Sequence, residues 1–138
     1  MIVLDTNVIS EIFRPVPSAR VLDWLQRQDA QQLHTTTITR GELLFGVYVM
    51  PQGRRRETLL AGLLRIFEER FADRVLPYDV AAADAHADLA ARRRALGRSS
   101  SQSDLMIAGI VRSLGLTLAT RNARDFEDCG IALVNPWD

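Results

Sequence analysis

The stretch Ile2-Val3-Leu4-Asp5-Thr6-Asn7-Val8-Ile9-Ser10-Glu11-Ile12-Phe13 decides how the rest of this 138-residue chain is read. Ile2 to Leu4 is a short apolar run rich in β-branched residues, which predicts a buried strand. From Thr6 onward the apolar residues change to helical spacing at Val8, Ile12 and Phe13. Asp5 stands at the join, at the carboxyl end of the strand, and in open α/β sheets that edge is where ligands bind. The competing reading is structural: Asp5 caps the helix that begins at Thr6.

Outward from this unit the same alternation continues. Pro15 and Pro17 break the first helix, and Ser18 can cap a second whose Val21, Leu22 and Leu25 share a face. A threonine-rich strand is predicted over Leu33 to Thr37. Thr39-Arg40-Gly41-Glu42 has capping-box form and opens a helix through Tyr48. Apolar spacing predicts a further helix over Leu59 to Phe71, a brief strand at Val75-Leu76-Pro77, and an alanine-rich helix from Val80 to Leu96. After the serine-rich loop Arg98 to Ser103, a helix runs from Asp104 to Leu114, and strands follow at Leu116 to Thr120 and Ile131 to Val134. Short apolar strands alternating with longer helices predict an α/β fold with a mainly parallel central sheet flanked by helices. The length predicts one domain over residues 1–138, with no repeat or linker dividing it.

Composition removes several function classes. All 17 basic residues are arginine and 17 acids balance them, so the formal net charge is zero. Without lysine there is no Walker A phosphate loop and no Schiff-base enzyme. A phospho-accepting receiver module, which also places an aspartate at a strand end, lacks its lysine as well. Genome base composition is the simplest cause of the substitution of arginine for lysine. The two histidines, His34 and His86, are far apart, and with the single Cys129 they offer no zinc-ligand spacing. No G-x-S-x-G is present, which removes the usual serine-hydrolase motif. One thiol and no signal-like or spanning segment predict a cytoplasmic protein with no membrane association.

Four acids fall where the apolar pattern or a strand end makes them informative. Asp104 heads the buried stripe of its helix, with Ile107, Ala108 and Val111 at i+3, i+4 and i+7. Glu42 begins another helix behind Gly41. Asp125 lies just past the strand that ends at Thr120, on the same edge as Asp5. Each has a bland alternative as a helix cap or first-turn acid. Asp5, Glu42, Asp104 and Asp125 are expected to converge on one rim, where crowded carboxylates would take up protons unless a divalent cation neutralised them. Oxygen-only ligation of this kind suits Mg²⁺ or Mn²⁺. Cations for an anionic substrate would come from Arg54 to Arg56, Arg92 to Arg94, Arg98 and Arg121. The first two runs equally well serve helix ends.

Val3 to Glu11, Thr39 to Gly46, Ser103 to Gly109, and Ala119 to Phe126 with the closing Asn135-Pro136-Trp137 together resemble the PIN-domain ribonucleases. Among these they resemble the small VapC/FitB-like toxins of bacterial toxin–antitoxin pairs. The resemblance covers essentially the whole chain and implies a PIN-like fold. It further implies a Mg²⁺-dependent endoribonuclease with Asp5, Glu42 and Asp104 as its acidic site and Asp5 and Asp104 as the principal metal ligands. Thr6, Asn7 and Thr120 would be supporting polar groups. One departure stands out: many relatives carry a fourth acid immediately after the Thr-Arg pair, where this chain has Asn122, which can orient a water or ligate weakly through its carbonyl; Asp125, three residues later, is the candidate to supply the missing carboxylate, and one metal or two are both open. The resemblance also implies an RNA substrate, a homodimer, and a cognate antitoxin lying in a groove, for which Ile12, Phe13, Trp24, Leu44 and Tyr48 are apolar candidates. The alternatives are a PIN fold that binds without cutting and a stand-alone nuclease with no antitoxin.

Overall fold

The computed structural model describes residues 1–138 as five strands and six helices. The strands are β1 (Ile2–Leu4), β2 (Leu33–Thr36), β3 (Val75–Leu76), β4 (Thr117–Ala119) and β5 (Ala132–Val134). They form one sheet in the order β3-β2-β1-β4-β5, and every neighbouring pair is parallel. The mainly parallel sheet expected from the alternation is parallel throughout. The helices are α1 (Thr6–Ile12), α2 (Ala19–Gln26), α3 (Thr37–Tyr48), α4 (Arg54–Arg70), α5 (Val80–Ala95) and α6 (Gln102–Leu114).

The pleat of the two central strands divides the core. Val3 and Leu118 face a layer with Leu89, Ile107, Val111 and Phe126, while Leu4 and Ala119 face the opposite layer with Val8, Ile9, Val21, Leu63 and Phe67. Alternate side chains of a strand point to opposite faces, so a three-residue apolar strand has to be covered on both. This is why Ile2 to Leu4 reads as an unbroken apolar run. β2 is different: His34, Thr35 and Thr36 are all buried, and the Thr35 hydroxyl donates to the Leu4 carbonyl at 3.1 Å. Hydrogen bonding of this kind is what makes a buried threonine tolerable.

The chain first builds outward on one side of β1, through β2 to β3. The α5–α6 hairpin then returns it to the other side of β1, where β4 pairs in the register Ile2 with Thr117, Val3 with Leu118 and Leu4 with Ala119. β1 and β4 therefore bracket the point where the strand order reverses, and ligand crevices open there in parallel sheets. The α5–α6 packing depends on Gly109. A Cβ at that position would lie 2.6 Å from the Ala82 carbonyl oxygen and 2.9 Å from the His86 Cβ.

Three boundaries differ from the sequence reading by two residues or more, and several others by one. The cap of α3 is Thr36, whose hydroxyl accepts from the Thr39 N–H at 3.1 Å, so the helix begins two residues before the expected Thr39. α4 starts at Arg54, because its polar first turn, Arg54 to Thr58, extends beyond the buried stripe that predicts the helix only from Leu59. α6 begins at Gln102, capped by the Ser101 hydroxyl, which accepts from the Asp104 N–H at 3.2 Å.

Candidate functional site

Asp5 is both helix cap and rim acid. Its Oδ1 accepts from the Thr6 N–H at 2.8 Å, which is the capping role. Its Oδ2 accepts from the Thr120 hydroxyl at 2.8 Å and from Asn7 Nδ2 at 3.3 Å, bonds that no helix cap requires. Thr120, fully buried directly after β4, thus ties the ends of β1 and β4 together across the switch point. Asn7 reinforces the tie: its Nδ2 also reaches Thr120 Oγ1 at 3.3 Å, and its Oδ1 accepts from the Arg121 N–H at 3.2 Å. The Asn122 N–H donates to Thr120 Oγ1 at 3.1 Å. Asp5, Asn7, Thr120, Arg121 and Asn122, from opposite ends of the chain, therefore form one polar network.

The second part of the site comes from α3. Glu42, exposed, is held by its Oε1, which accepts from the Thr6 hydroxyl at 2.7 Å. The reciprocal capping bond expected between Glu42 and Thr39 does not form, since Thr36 caps the helix and Thr6 takes the carboxylate. Thr39 is completely buried, with its Oγ1 3.0 Å from Thr6 Oγ1. Sequence reasoning passed over Thr36 and read Thr39 only as the helix cap. A run of threonines at 35, 36, 37 and 39 offers several equivalent caps, and the decisive partner, Thr6, is 33 positions from Thr39.

Electrostatics bring in the remaining acids. Burial pushes the Asp5 carboxyl up to about 6, against hydrogen bonds from Thr120 and Thr6 that pull it down, and the charges of Asp104 and Glu42 push it further up. Asp104, half-buried at the start of α6, is also raised, first by burial and then by Asp125 and Glu42. The four acids thus share one electrostatic field. They do not form a coordination cage, because nowhere are three or more His, Cys, Asp or Glu side chains gathered so as to hold a metal ion between them. Glu42 leans to Thr6, and three of the roughly four lone-pair positions of the Asp5 carboxylate are already filled by Thr6, Thr120 and Asn7.

The arginines separate by environment. Arg121 is exposed beside the network, with its guanidinium 5.1 Å from the centre of the Trp137 ring. Arg98 faces away from a free phosphate role: it pairs with Asp128 at 3.0 Å and Glu127 at 3.6 Å. Arg93 is buried and donates to the Glu127 carbonyl, whereas Arg92 pairs with Asp88 at 3.2 Å on the surface. Arg56 lies over the Tyr48 ring at 5.6 Å. His86 is satisfied by the Tyr78 hydroxyl at 2.7 Å from its Nδ1. Beside Glu42 and Thr6 opens a mostly apolar groove of about 320 Å³, floored by Phe13, Val47, Leu59 and Leu63. Of the expected antitoxin-facing residues Phe13 lines it. Ile12 instead lines a second hollow of about 490 Å³ with Leu22, Leu25 and Phe71, while Tyr48 is exposed and Trp24 and Leu44 pack against the core.

A PIN domain is recognised across residues 2–131. The chain belongs to the PIN-domain family. Across all 138 residues this PIN domain is 43% identical to the plasmid stability protein StbB of Pseudomonas syringae pathovar tomato, covering 99% of it. It is 39% identical to the VapC ribonuclease Y4jK of Sinorhizobium fredii, again over the whole chain and 99% of the relative. Among solved structures, FitAB bound to an IR36 DNA fragment superposes with a TM-score of 0.95 at 33% identity, covering all of this chain and 96% of that one. The all-parallel sheet with flanking helices is thus the PIN-like α/β fold expected from the sequence.

Proposed function

We propose that this PIN domain is a metal-dependent endoribonuclease, the toxin of a toxin–antitoxin pair. The observation that carries the reading is the Asp5 carboxyl, buried at the β1–β4 switch point and raised to about 6 beside Asp104 and Glu42. Burying an acid next to two more is costly, and a structural cap would not need it. The ribonuclease named among the relatives and the FitAB neighbour support the RNA substrate and the antitoxin partner respectively.

The donor set fits a hard divalent cation, Mg²⁺ or Mn²⁺. All the groups are carboxylate oxygens, the protein leaves about one lone-pair position on Asp5 free, and Mg²⁺ is usually held by one or two carboxylates with water completing its shell. Asp5 and Asp104 would hold it directly, with Glu42 alongside. When bound, such an ion polarises a phosphodiester and lowers the pKa of water. The chain's own residues do the rest. Thr120 and Asn7 fix the Asp5 carboxylate, Thr6 fixes Glu42, the Asn122 N–H is tied to Thr120, and the Asp125 charge acts on Asp104. Arg121, exposed beside them, meets the phosphate backbone; guanidinium forks suit that contact. The apolar groove beside Glu42 receives the antitoxin, and the chain acts in the cytoplasm as a homodimer.

The test is cleavage of total RNA by the purified protein with Mg²⁺, Mn²⁺ or excess chelator, alongside Asp5→Asn and Asp104→Asn. The expected result is cleavage that needs the cation and both acids. Undiminished cleavage in chelator overturns the metal mechanism, and no cleavage by the folded, metal-loaded protein overturns the nuclease reading. Co-purification with the product of an adjacent short reading frame tests the antitoxin.

A further inference from the structure

We propose that Thr39 is a positioning residue that fixes the Glu42 carboxylate through Thr6, an inference that rests on the nuclease reading for its catalytic consequence but not for its geometry. Thr39 is entirely buried in the first turn of α3, and Thr36 already performs the capping that a threonine there would ordinarily do. Its hydroxyl has a single partner, Thr6 Oγ1, at 3.0 Å. Thr6 Oγ1 in turn lies 2.7 Å from Glu42 Oε1. A hydroxyl owns one proton and two acceptor positions, and an ionised carboxylate can only accept. The Thr6 proton therefore goes to Glu42, and the Thr39 proton goes to Thr6. The direction of the chain Thr39, Thr6, Glu42 follows from counting protons.

That direction has a consequence for Glu42. An exposed glutamate has three rotatable side-chain bonds and spreads over many rotamers unless something holds it. Thr6 alone could rotate its proton elsewhere. With its oxygen engaged by a donor that is buried and has no other acceptor, Thr6 is left with Glu42 as the natural target. One carboxylate oxygen is then held by Thr6, and Oε2 keeps no hydrogen bond within the protein. Thr39 touches neither substrate nor cation. It removes the alternatives open to Thr6, and so keeps one Glu42 rotamer facing the rim.

The test compares the parent protein with Thr39→Val, which keeps the shape and loses the hydroxyl, and Thr39→Ser, which keeps the hydroxyl. Side-chain NMR couplings and carboxyl shifts report the Glu42 rotamers without requiring activity. A single Glu42 rotamer is expected in the parent and in Thr39→Ser, and averaging in Thr39→Val. An unchanged single rotamer in Thr39→Val overturns the proposal. In cleavage assays kcat should fall about tenfold in Thr39→Val with KM within about twofold, and Thr39→Ser should restore it. A fall of the same size in both variants means a packing role only and also overturns the proposal. If the parent cuts no RNA, the nuclease reading falls while the rotamer comparison still decides this one. Should Thr39→Val not fold, the parent alone suffices: the Thr39 hydroxyl proton must exchange slowly and point at Thr6, and a freely exchanging one refutes the chain.

Discussion

Replacing Asp5 with asparagine should make this protein more stable at alkaline pH, and the gain should disappear as the pH falls. In the folded chain the Asp5 carboxyl holds its proton up to about 6, compared with 3.8 for the unperturbed group. Between those values the folded state carries a proton that the unfolded state has released. Stability is therefore lost as pH rises through this window, and the whole cost is present above it. At about 1.36 kcal/mol per pH unit the cost is about 3 kcal/mol. Asparagine keeps the shape and has no charge to bury. It also turns an amide N–H toward donors now served by Oδ2, namely the Thr120 hydroxyl and Asn7, at a pH-independent cost of about 1 kcal/mol. The net gain is about 2 kcal/mol near pH 8, or about 6 °C in Tm for a chain of this size. It falls below about 1 kcal/mol near pH 5 and is cancelled or reversed near pH 4. Thermal unfolding of both proteins in chelator-treated buffer across this range is the assay. A Tm difference that stays constant from about pH 8 to about pH 4 would show that the carboxyl is not held raised by its burial.

Addition of Mg²⁺ near pH 8 should raise the Tm of the parent and leave that of Asp5→Asn unmoved, since binding to the folded state alone stabilises by mass action; an equal rise in both would place the ion elsewhere. Gly109→Ala should destabilise by about 1–3 kcal/mol, because the added methyl meets the Ala82 carbonyl and His86, and the midpoint of urea unfolding reads this directly. Asn122→Asp adds a charge at the rim and should tighten Mn²⁺ binding by about fivefold, equivalent to about 1 kcal/mol, in a titration followed by calorimetry; weaker binding would mean that Asn122 does not face the ion.

Much of this arrangement is legible in the chain. The unbroken apolar run of β1, with a strand on either side of it, carries its own requirement for two covering layers, and Asp5 follows it directly. Asp104 heads a helical stripe, which places it on the rim side of a buried helix. The arginines are where reading stops. Arg92, Arg93 and Arg94 are the same residue type, yet successive helix positions turn by about 100°, so the three point in different directions and need not share an environment. The buried one is Arg93, whose partner is a backbone carbonyl at Glu127, invisible to any side-chain pattern. Arg98 fails as a free cation for a similar reason, since Glu127 and Asp128 lie on a loop whose return to α5 depends on the whole hairpin. The threonines of β2 and α3 were ambiguous because four hydroxyls compete for one cap, and only tertiary contact with Thr6 separates them.

The pairing of β1 with β4 has a consequence in time. Asp5 waits for Thr120, and Leu4 pairs with Ala119, so the polar network joins two segments 115 positions apart, and the first is synthesised long before the second. A nascent chain halted anywhere before Thr117 has β1 paired with β2 alone, without β4, and Asp5 without the Thr120 hydroxyl. If the finished protein cuts RNA, its incomplete forms cannot, and a frameshift or premature stop upstream of β4 yields an inert product. On that reading activity cannot appear before Thr120 has been made and has folded onto Asp5, so a neutralising partner has to be present by then and not earlier.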